Sequence, residues 1–214
     1  MTWINTVSGK RVDLLKPDPE SITFGDIAHA LSRVNRFCGH IRQEHYSVAE
    51  HSVRCALAAE RLRYSTVAQL ACLLHDAHEA YINDICTPLK EILRTEQQWS
   101  AIEGIEKVFD ALIWQKLGAN ETPYERMGGY VKHVDGWMCV YEAERVLLKR
   151  EDWDFRPARD VALEQWRQPA LGWSPDTAKR HFIARYRHLR RSLGAERRIA
   201  ARSERQVKTM ETAA

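Results

Sequence analysis

Apolar residues recur at intervals of three and four along most of this chain, and short hydroxyl- or proline-containing signals separate the runs. This spacing places the apolar side chains on one face of an α-helix. The segment from Trp99 to Leu117 shows the pattern most clearly, since Ile105, Phe109 and Leu112 fall on one stripe. Alternating apolar and polar residues, which indicate strands, are scarce. The pattern predicts an all-α fold built as a helical bundle.

Capping signals predict where the helices begin. In the segment from Ser47 to Glu50 a hydroxyl stands at the cap and a carboxylate three residues later, which is the capping-box arrangement. Thr122-Pro123 and Ser174-Pro175 place proline at the first helical position behind a capping hydroxyl. With Ser65 or Thr66 as a further cap, these signals predict helices over residues 48–61, 66–81, 99–117, 123–150 and 175–193, and a loop over 83–88.

The charge of the chain is divided unevenly. From Thr177 to the end there are 11 lysines and arginines against three glutamates, a net +8, whereas the 21 basic and 26 acidic residues before it give −5. Apolar periodicity weakens beyond Gly194, so a frayed helix or disorder is expected there. We therefore divide the chain into an N-terminal arm with at most short β-pairing (1–20), one helical domain (21–193) and a basic, flexible tail (194–214).

Composition excludes several classes of protein. Apolar residues make up 44% and charged residues 29% of the 214 positions, so the chain can bury a core. The longest central apolar run, from Leu70 to Leu74, is far shorter than the ~20 residues of a membrane-spanning helix, and residues 1–10 lack a secretory signal. The five cysteines form no Cys-x-x-Cys pair. We expect reduced thiols and a cytoplasmic protein.

The segment from Leu73 to Ala80 carries four titratable groups on a helix otherwise lined with alanine and leucine. Among them His75, Asp76 and Glu79 are spaced so that their side chains can converge on one patch. Burying such groups without compensation is costly. A divalent cation compensates them directly, because imidazole nitrogen and carboxylate oxygen are ligands for Mn²⁺, Fe²⁺, Co²⁺ or Zn²⁺. The order differs from the His-Glu-x-x-His of zinc peptidases, which disfavours that class.

Further ligands must come from other helices, because two adjacent residues cannot enclose a metal. The candidates are His51, within the helix that Ser47 opens, and Asp135, on the helix predicted over 123–150. Both stand among apolar residues at helical spacing. A lone helical histidine is more often a hydrogen-bonded core residue, so the inference depends on the whole set: His51, His75, Asp76 and Asp135.

These four residues, in the order H…HD…D, resemble the signature of the HD-domain phosphohydrolases, in which such side chains hold one divalent metal inside a helical bundle. The likeness covers about residues 20–190. Arg36 lies fifteen residues before His51, and three further features follow the HD pair: Glu79, Asp84 and Thr87-Pro88-Leu89-Lys90. The set is similar to the branch that contains the bacterial 5'-deoxynucleotidases and the phage-type dATP triphosphohydrolases.

This resemblance implies roles for the remaining residues. The ligands would leave one or two positions open for a water and a phosphate oxygen, and Glu79 takes the general acid/base position. Arg36 and Lys90 occupy positions that contact phosphate in similar proteins, on loops beside the metal, and His40 is a further candidate. Asp84 matches a carboxylate that the deoxynucleotidases keep beside the sugar and leaving group; it could equally cap the loop.

Three residues have more open assignments. Phe37 stands where close relatives often carry a tryptophan that stacks on the nucleoside or blocks a ribose 2'-hydroxyl, so the base and sugar preferences stay open. Lys132, one turn before Asp135, could pair with a ligand carboxylate or with phosphate. His78 could support the ligands or extend the site towards two metals, although a core position is the simpler interpretation.

We therefore expect a metal-dependent nucleotide phosphohydrolase of the 5'-deoxynucleotidase type that uses one divalent transition metal (Mn, Co, Zn or Fe). A deoxynucleoside triphosphate triphosphohydrolase, which would release tripolyphosphate, is the alternative enzyme. A nucleic-acid- or partner-binding module with a vestigial metal site is the alternative from another class. The expected partners are a nucleotide and, by resemblance, further copies of the chain, with no membrane. For the basic tail, a solvated helix face or a subunit contact is favoured over nucleic acid.

Overall fold

The computed structural model describes residues 1–119, 122–148, 160–166 and 170–212, with side chains described as far as residue 206. Within these ranges the chain is mostly helical, and the predicted all-α bundle is confirmed. Short 3₁₀ turns lie at Pro19–Ser21, Phe37–Gly39 and Tyr124–Met127. The remaining elements are β1 (Trp3–Asn5), β2 (Arg11–Asp13), α1 (Phe24–Leu31), α2 (Val48–Arg61), α3 (Thr66–Leu74), α4 (Glu79–Ile82), α5 (Thr87–Thr95), α6 (Trp99–Leu117), α7 (Gly128–Val146), α8 (Val161–Glu164) and α9 (Pro175–Thr212).

The N-terminal arm forms an antiparallel hairpin, so the short β-pairing expected there is confirmed. Ile4 pairs with Val12, and Val12 is fully buried. The hairpin turn is tied to the bundle because the Asp26 carboxylate, near the start of α1, accepts hydrogen bonds from the Ser8 N–H at 3.0 Å and the Ser8 hydroxyl at 2.7 Å.

The bundle is built around α2, which packs against α3, α7 and α9. Its alanines, including Ala49, Ala56 and Ala59, are fully buried. Small side chains let the neighbouring helices approach closely. This central position puts His51, near the start of α2, inside the bundle, where it is 0% exposed.

The capping box at the start of α2 forms in part. The Ser47 hydroxyl accepts a hydrogen bond from the Glu50 N–H at 3.2 Å, as predicted. The Glu50 carboxylate instead accepts from Arg54 at 2.6 Å and from the N–H groups of Gly172 and Trp173 at 3.2 and 2.7 Å. This buried carboxylate therefore joins α2 to the segment that leads into α9.

The helix predicted over 66–81 is interrupted at its polar segment. α3 ends at Leu74, and α4 begins only at Glu79, whose N–H bonds to the Asp76 carbonyl three residues earlier. His75 Nδ1 lies 3.0 Å from the Cys72 carbonyl oxygen, which in a continued α-helix would accept from the Asp76 N–H. The histidine side chain thus competes for the helical acceptor, and the prediction of one continuous helix is wrong.

The loop predicted over 83–88 is shorter than expected. α5 begins at Thr87, with Pro88 in its first turn, and this helix was not predicted. Lys90 therefore stands on a helix rather than on a loop. The following α6 has the predicted bounds.

The helix that carries Asp135 starts later than predicted. The chain passes from Pro123 through the 3₁₀ turn Tyr124–Met127, and α7 begins at Gly128. It ends at Val146, and residues 149 and 150 of the predicted helix lie outside the described residues.

The last helix starts where predicted, and the Ser174 hydroxyl accepts a hydrogen bond from the Thr177 N–H at 3.3 Å. It packs on the bundle through apolar residues such as Phe182 and Leu189, which are 0% and 1% exposed. The predicted end near Leu193 is wrong, because α9 continues to Thr212. Side chains from Glu196 to residue 206 are all exposed.

Two expectations from composition concern the cysteines and the membrane. All five cysteines are free thiols. In the described part of the chain, no helix combines the length and the apolar character that crossing a bilayer requires.

Candidate metal centre

Two histidines and two aspartates from three separate segments meet inside the bundle. His51 comes from α2, His75 and Asp76 from the turn after α3, and Asp135 from α7. The Nε2 atoms of His51 and His75 lie 3.3 Å apart. Asp76 Oδ2 is 3.1 Å from the His75 Nε2 atom and 3.5 Å from that of His51. Asp135 Oδ1 is 3.7 and 3.2 Å from the same two atoms.

The spacing of these donor atoms suits a single cation. Two ligands bonded to one metal at about 2.0–2.2 Å stand roughly 3.0–3.5 Å apart at ordinary coordination angles. The five separations measured here range from 3.1 to 3.7 Å. Imidazole nitrogen and carboxylate oxygen are also a suitable donor set for a divalent transition metal. A candidate metal-binding group is therefore present.

Each imidazole is oriented by a hydrogen bond at its other ring nitrogen. His51 Nδ1 lies 2.7 Å from Glu142 Oε1, and His75 Nδ1 lies 3.0 Å from the Cys72 carbonyl oxygen. Because both partners accept hydrogen bonds, Nδ1 is the donor nitrogen in each ring, which leaves Nε2 as the nitrogen that can bind a cation. The two Nε2 atoms stand 3.3 Å apart, so a proton or a metal cation between them is needed to offset the repulsion of their lone pairs.

The electrostatics of the cluster also favour positive charge. Burial acts to lower the pKa of the His75 imidazole, but Asp76 and Asp135 outweigh burial and hold it well above its ordinary value. At Asp135, burial acts to raise the pKa, and the hydrogen bonds and charges of His51 and His75 hold it well below its ordinary value. The carboxylates are therefore ionised, and a cation bound among them would be compensated.

Cys55 lies at the edge of the group. Its Sγ is 3.5 Å from His51 Nε2, and His51, Cys55, His75 and Asp135 each offer a ligand atom within 4.8 Å of the others. Burial raises the pKa of the Cys55 thiol well above its ordinary value, so without a metal the sulfur carries a proton that a bound cation would have to displace. Asp76, with its ionised oxygen 3.1 and 3.5 Å from the two imidazoles, is the better fourth donor.

Glu142 is a functional candidate that the sequence reasoning missed. It is fully buried. Its Oε1 accepts a hydrogen bond from the Tyr46 hydroxyl at 2.6 Å and lies 2.7 Å from His51 Nδ1, while its Oε2 lies 3.1 Å from Arg36 Nε. Burial acts to raise the pKa of this carboxyl, but His51 and Arg36 outweigh it and the pKa is lowered. One feature of the sequence could have identified Glu142: it stands seven residues after Asp135, which places it two turns along the same face of α7.

Arg36 reaches the cluster from the segment between α1 and α2. Its Nη1 lies 3.5 Å from Asp76 Oδ2, and its side chain is 12% exposed. The next two residues, Phe37 and Cys38, have φ values of 55° and 53°, a left-handed conformation that costs free energy for residues with a side chain. This sharp turn holds the Phe37 ring beside the Arg36 guanidinium, with 5.6 Å between Cζ and the ring centre.

Glu79 and Asp84 supply two further carboxyl groups near the ligands. Glu79 is 5% exposed, and its Oε2 has no hydrogen-bond partner among the residues that the structure describes. Burial, Asp76 and Asp84 raise the pKa of Glu79 well above its ordinary value. Burial also raises the pKa of Asp84, and Arg36 opposes it. Both carboxyls are close enough to the cluster to sense its charges.

Lys90 and His78 contact a second group of charges, on α6. Lys90 Nζ lies 3.4 Å from Glu106 Oε1, and His78 Nδ1 lies 2.8 Å from Asp110 Oδ1. His78 is 7% exposed. Its hydrogen bond therefore goes to α6 rather than to the four candidate ligands.

Lys132 and His40 are not brought into the cluster. Both side chains are exposed. Within the described ranges, no hydrogen bond or ion pair joins either of them to a candidate ligand.

Comparison with known proteins shows relatives along almost the whole chain. No family model matches. The chain is 34% identical over 190 residues to the uncharacterized protein YfdR of Escherichia coli, an alignment that covers 88% of this chain and 96% of that protein. It is 43% identical over 195 residues to an uncharacterized protein of Rhodobacter capsulatus, with 86% of this chain and 96% of that protein covered.

Proposed function

The chain belongs to the same family as YfdR and the Rhodobacter capsulatus protein, and we propose that it is a metal-dependent nucleotide phosphohydrolase of the HD-domain type. Its substrate would be a deoxynucleotide, cleaved at the 5' phosphate by water. One observation carries the proposal: donor atoms from three distant segments lie 3.1–3.7 Å apart in the order that resembles the H…HD…D signature, namely those of His51, His75, Asp76 and Asp135.

The four residues would hold one divalent transition metal (Mn, Co, Zn or Fe) through the two Nε2 atoms and one oxygen of each aspartate. Such a cation, when bound, lowers the pKa of a water and draws negative charge from a phosphate oxygen. Glu142 and the Cys72 carbonyl fix both rings in the orientation that binding needs, which supports a preformed site.

Glu79 is the residue best placed to move a proton. Its Oε2 is buried and has no partner in the described part of the chain. A buried carboxyl that retains a proton can deliver it to the leaving 5' oxygen, and its carboxylate form can accept a proton from the attacking water. The absence of a competing hydrogen bond leaves the oxygen available for either transfer.

Arg36 would orient the phosphate beside the ligands. Its Nε forms an ion pair with Glu142 at 3.1 Å, and its Nη1 lies 3.5 Å from Asp76 Oδ2. A guanidinium donates two parallel hydrogen bonds to phosphate oxygens. Lys90, whose side chain is 24% exposed, would add a second positive charge.

The balance of charge favours a substrate with a single phosphate. Arg36 already faces two carboxylates, and Lys90 faces Glu106. Glu79 and Asp84 add acidic groups on the same side of the site. With these carboxyl groups and the two ligand aspartates set against Arg36, Lys90 and one divalent metal, little positive charge remains for a triphosphate, so we favour a 5'-deoxynucleotidase over a triphosphohydrolase.

The nucleoside would lie against the strained turn. The Phe37 ring, next to Arg36, offers an aromatic face on which a base or sugar can pack. Asp84, which follows Asn83 in the loop after α4, can accept a hydrogen bond from a sugar hydroxyl. These two residues are our candidates for the nucleoside end of the pocket.

A substrate panel tests the proposal. Metal-loaded protein would be incubated with 5'-deoxynucleoside mono- and triphosphates, and the products separated. We expect nucleoside and inorganic phosphate from the monophosphates. Release of tripolyphosphate would show that the substrate is a deoxynucleoside triphosphate, and the assignment of the metal site would stand. No turnover of any nucleotide with Mn²⁺, Co²⁺ or Zn²⁺ bound would overturn the proposal in favour of a binding module.

A further inference from the structure

α9 carries a straight line of exposed arginines, independent of the candidate metal centre. Its members follow one another at intervals of seven, four, seven and four residues, and every one is exposed. We call this set the arginine line: Arg180, Arg187, Arg191, Arg198 and Arg202.

The spacing keeps these side chains on one face of the helix. Eleven residues complete three turns of an α-helix with a drift of only about 20°, and the line repeats every eleven residues. From Arg180 to Arg202 it spans 22 residues, or about 33 Å along the axis. Because α9 continues to Thr212, the line runs past Leu193, the last buried residue among the side chains of α9 that are described, which end at residue 206.

The opposite face of α9 makes the contacts with the bundle. Leu189 and Phe182 are buried there, and Arg185 donates hydrogen bonds to Glu60 and to the Ala56 carbonyl, at 3.1 Å each. The side chains that hold α9 in place are therefore not those of the arginine line.

Between Arg180 and Arg202 no acidic residue lies on the face of the line, and Asp176, one turn before Arg180, pairs with Arg33 at 3.6 Å. Glu196 and Glu204 each stand two residues from an arginine of the line, which puts them roughly on the far side of the helix. Glu196 accepts a hydrogen bond there from the Thr66 hydroxyl.

Helix stability does not explain the pattern. Arg187 and Arg191, like Arg198 and Arg202, are four residues apart, and like charges at that spacing destabilise a helix. The arginines of the line repel one another and do not pack against the bundle. A negatively charged partner would explain why they are placed together.

We propose that the arginine line binds the phosphate backbone of nucleic acid without selectivity for base sequence. From the sequence alone a solvated face or a subunit contact is expected, but the continuous helix arranges the arginines as a rigid, linear array. Duplex DNA presents one negative charge per about 1.7 Å of its axis, and a linear polyanion of this kind can contact all five arginines at once.

Two other partners fit less well. Insertion into a membrane surface requires an apolar face. Between residues 196 and 206, Ile199 is the single large apolar side chain that is exposed, so this part of α9 has no such face. Pairing of two α9 helices would require an apolar seam, which this part of the helix lacks for the same reason.

Salt-dependent binding to a fluorescent DNA duplex of about 20 base pairs without 5' phosphates tests the proposal, because this probe is no substrate for the proposed hydrolase. The full-length chain is compared with a variant in which four arginines of the line are replaced by glutamine: Arg187, Arg191, Arg198 and Arg202. The control carries four equivalent substitutions at exposed basic residues off α9: Lys16, Arg61, Arg63 and Lys107.

We expect the plot of log K against log salt for the wild-type chain to have a slope of about −4.5, which is −0.9 for each of five contacted phosphates. The arginine-line variant should lose at least ~10-fold in affinity at 50 mM salt and most of the slope, whereas the control should stay within about threefold of wild type. Circular dichroism confirms that both variants remain helical.

Several results would overturn the proposal. They are a wild-type chain that does not bind the duplex, equal losses in the two variants, or an arginine-line variant that binds like wild type. A change of sedimentation coefficient in the arginine-line variant without a change in DNA binding would assign the line to a subunit contact. Binding to vesicles of anionic lipid but not to DNA would assign it to a membrane surface.

Discussion

The Nδ1 atom of His51 lies 2.7 Å from Oε1 of Glu142, and both side chains are 0% exposed. The other oxygen of the same carboxylate faces Arg36 Nε at 3.1 Å. One buried carboxylate therefore sets the position of a candidate metal ligand and of the candidate phosphate-binding arginine. A change at Glu142 should disturb metal binding and substrate binding together.

We expect Glu142→Gln to weaken metal affinity by roughly 10–100-fold, as is typical for the hydrogen-bond partner of a ligand histidine. It should also raise the KM for the phosphate substrate, because the Arg36 guanidinium loses the nearer of its two charged partners. Competition with a fluorescent chelator measures the affinity. Glu144→Gln, on the exposed face of the same helix, is the matched control. Equal metal affinities for the two variants would refute the assigned role of Glu142.

Removal of the metal should lower thermal stability. A ligand present at 100 times its Kd stabilises the folded state by about 2.7 kcal/mol, which for a chain of this size corresponds to roughly 5–10 °C in Tm. Differential scanning calorimetry with and without a chelator measures the difference. His75→Ala should unfold at the same temperature in both conditions, and a chelator effect that persists in this variant would place the metal elsewhere.

Glu79→Gln should separate metal binding from catalysis. The amide has nearly the same shape as the carboxylic acid but cannot exchange a proton in the same way, so kcat should fall by about 10²-fold or more while metal content stays at the wild-type level. Steady-state kinetics and metal analysis on one preparation test this. Unchanged kcat would show that Glu79 takes no part in proton transfer.

Asp26 should make stability depend on pH. Burial acts to raise the pKa of this carboxyl, but hydrogen bonds from Thr23 and Ser8 outweigh burial and hold it below its ordinary value. A carboxyl whose pKa is lowered by folding stabilises the protein above its unfolded pKa of about 3.9 and loses that contribution as pH falls.

Asp26→Asn should therefore cost about 1–3 kcal/mol at pH 7, and the difference from wild type should shrink on acidification towards pH 3. Urea unfolding at several pH values measures the free energies. Asp176→Asn, at an exposed position, is the control. A difference between Asp26→Asn and wild type that does not change with pH would contradict the argument.

Local signals were sufficient for much of the fold. The Ser47 and Ser174 caps place the starts of α2 and α9, and apolar periodicity gives both ends of α6. The sequence analysis also singled out four side chains, from α2, the turn after α3 and α7, and the fold brings both aspartates to 3.1–3.7 Å from the two imidazole Nε2 atoms. Their clustering could be predicted without coordinates, because titratable residues stood at positions whose neighbours are apolar.

The differences arise where a side chain or a distant contact overrides local preference. The helix break after Leu74 depends on the hydrogen bond of the His75 ring to the Cys72 carbonyl, which helical periodicity does not encode. In the sequence Glu142 looks like an ordinary helix glutamate. Its role depends on contacts with Tyr46 and Arg36, which lie about a hundred residues earlier in the chain. The length of α9 was underestimated because the helix continues beyond its last apolar contact.

Metal content tests the central claim most directly. The purified chain, dialysed against Mn²⁺, Co²⁺ or Zn²⁺ and then against metal-free buffer, would be analysed by mass spectrometry of its metals beside Asp135→Ala and His51→Ala. We predict one divalent metal per chain in the wild-type protein and almost none in either variant. A wild-type chain that retains no metal, or variants that retain as much as wild type, would contradict the account.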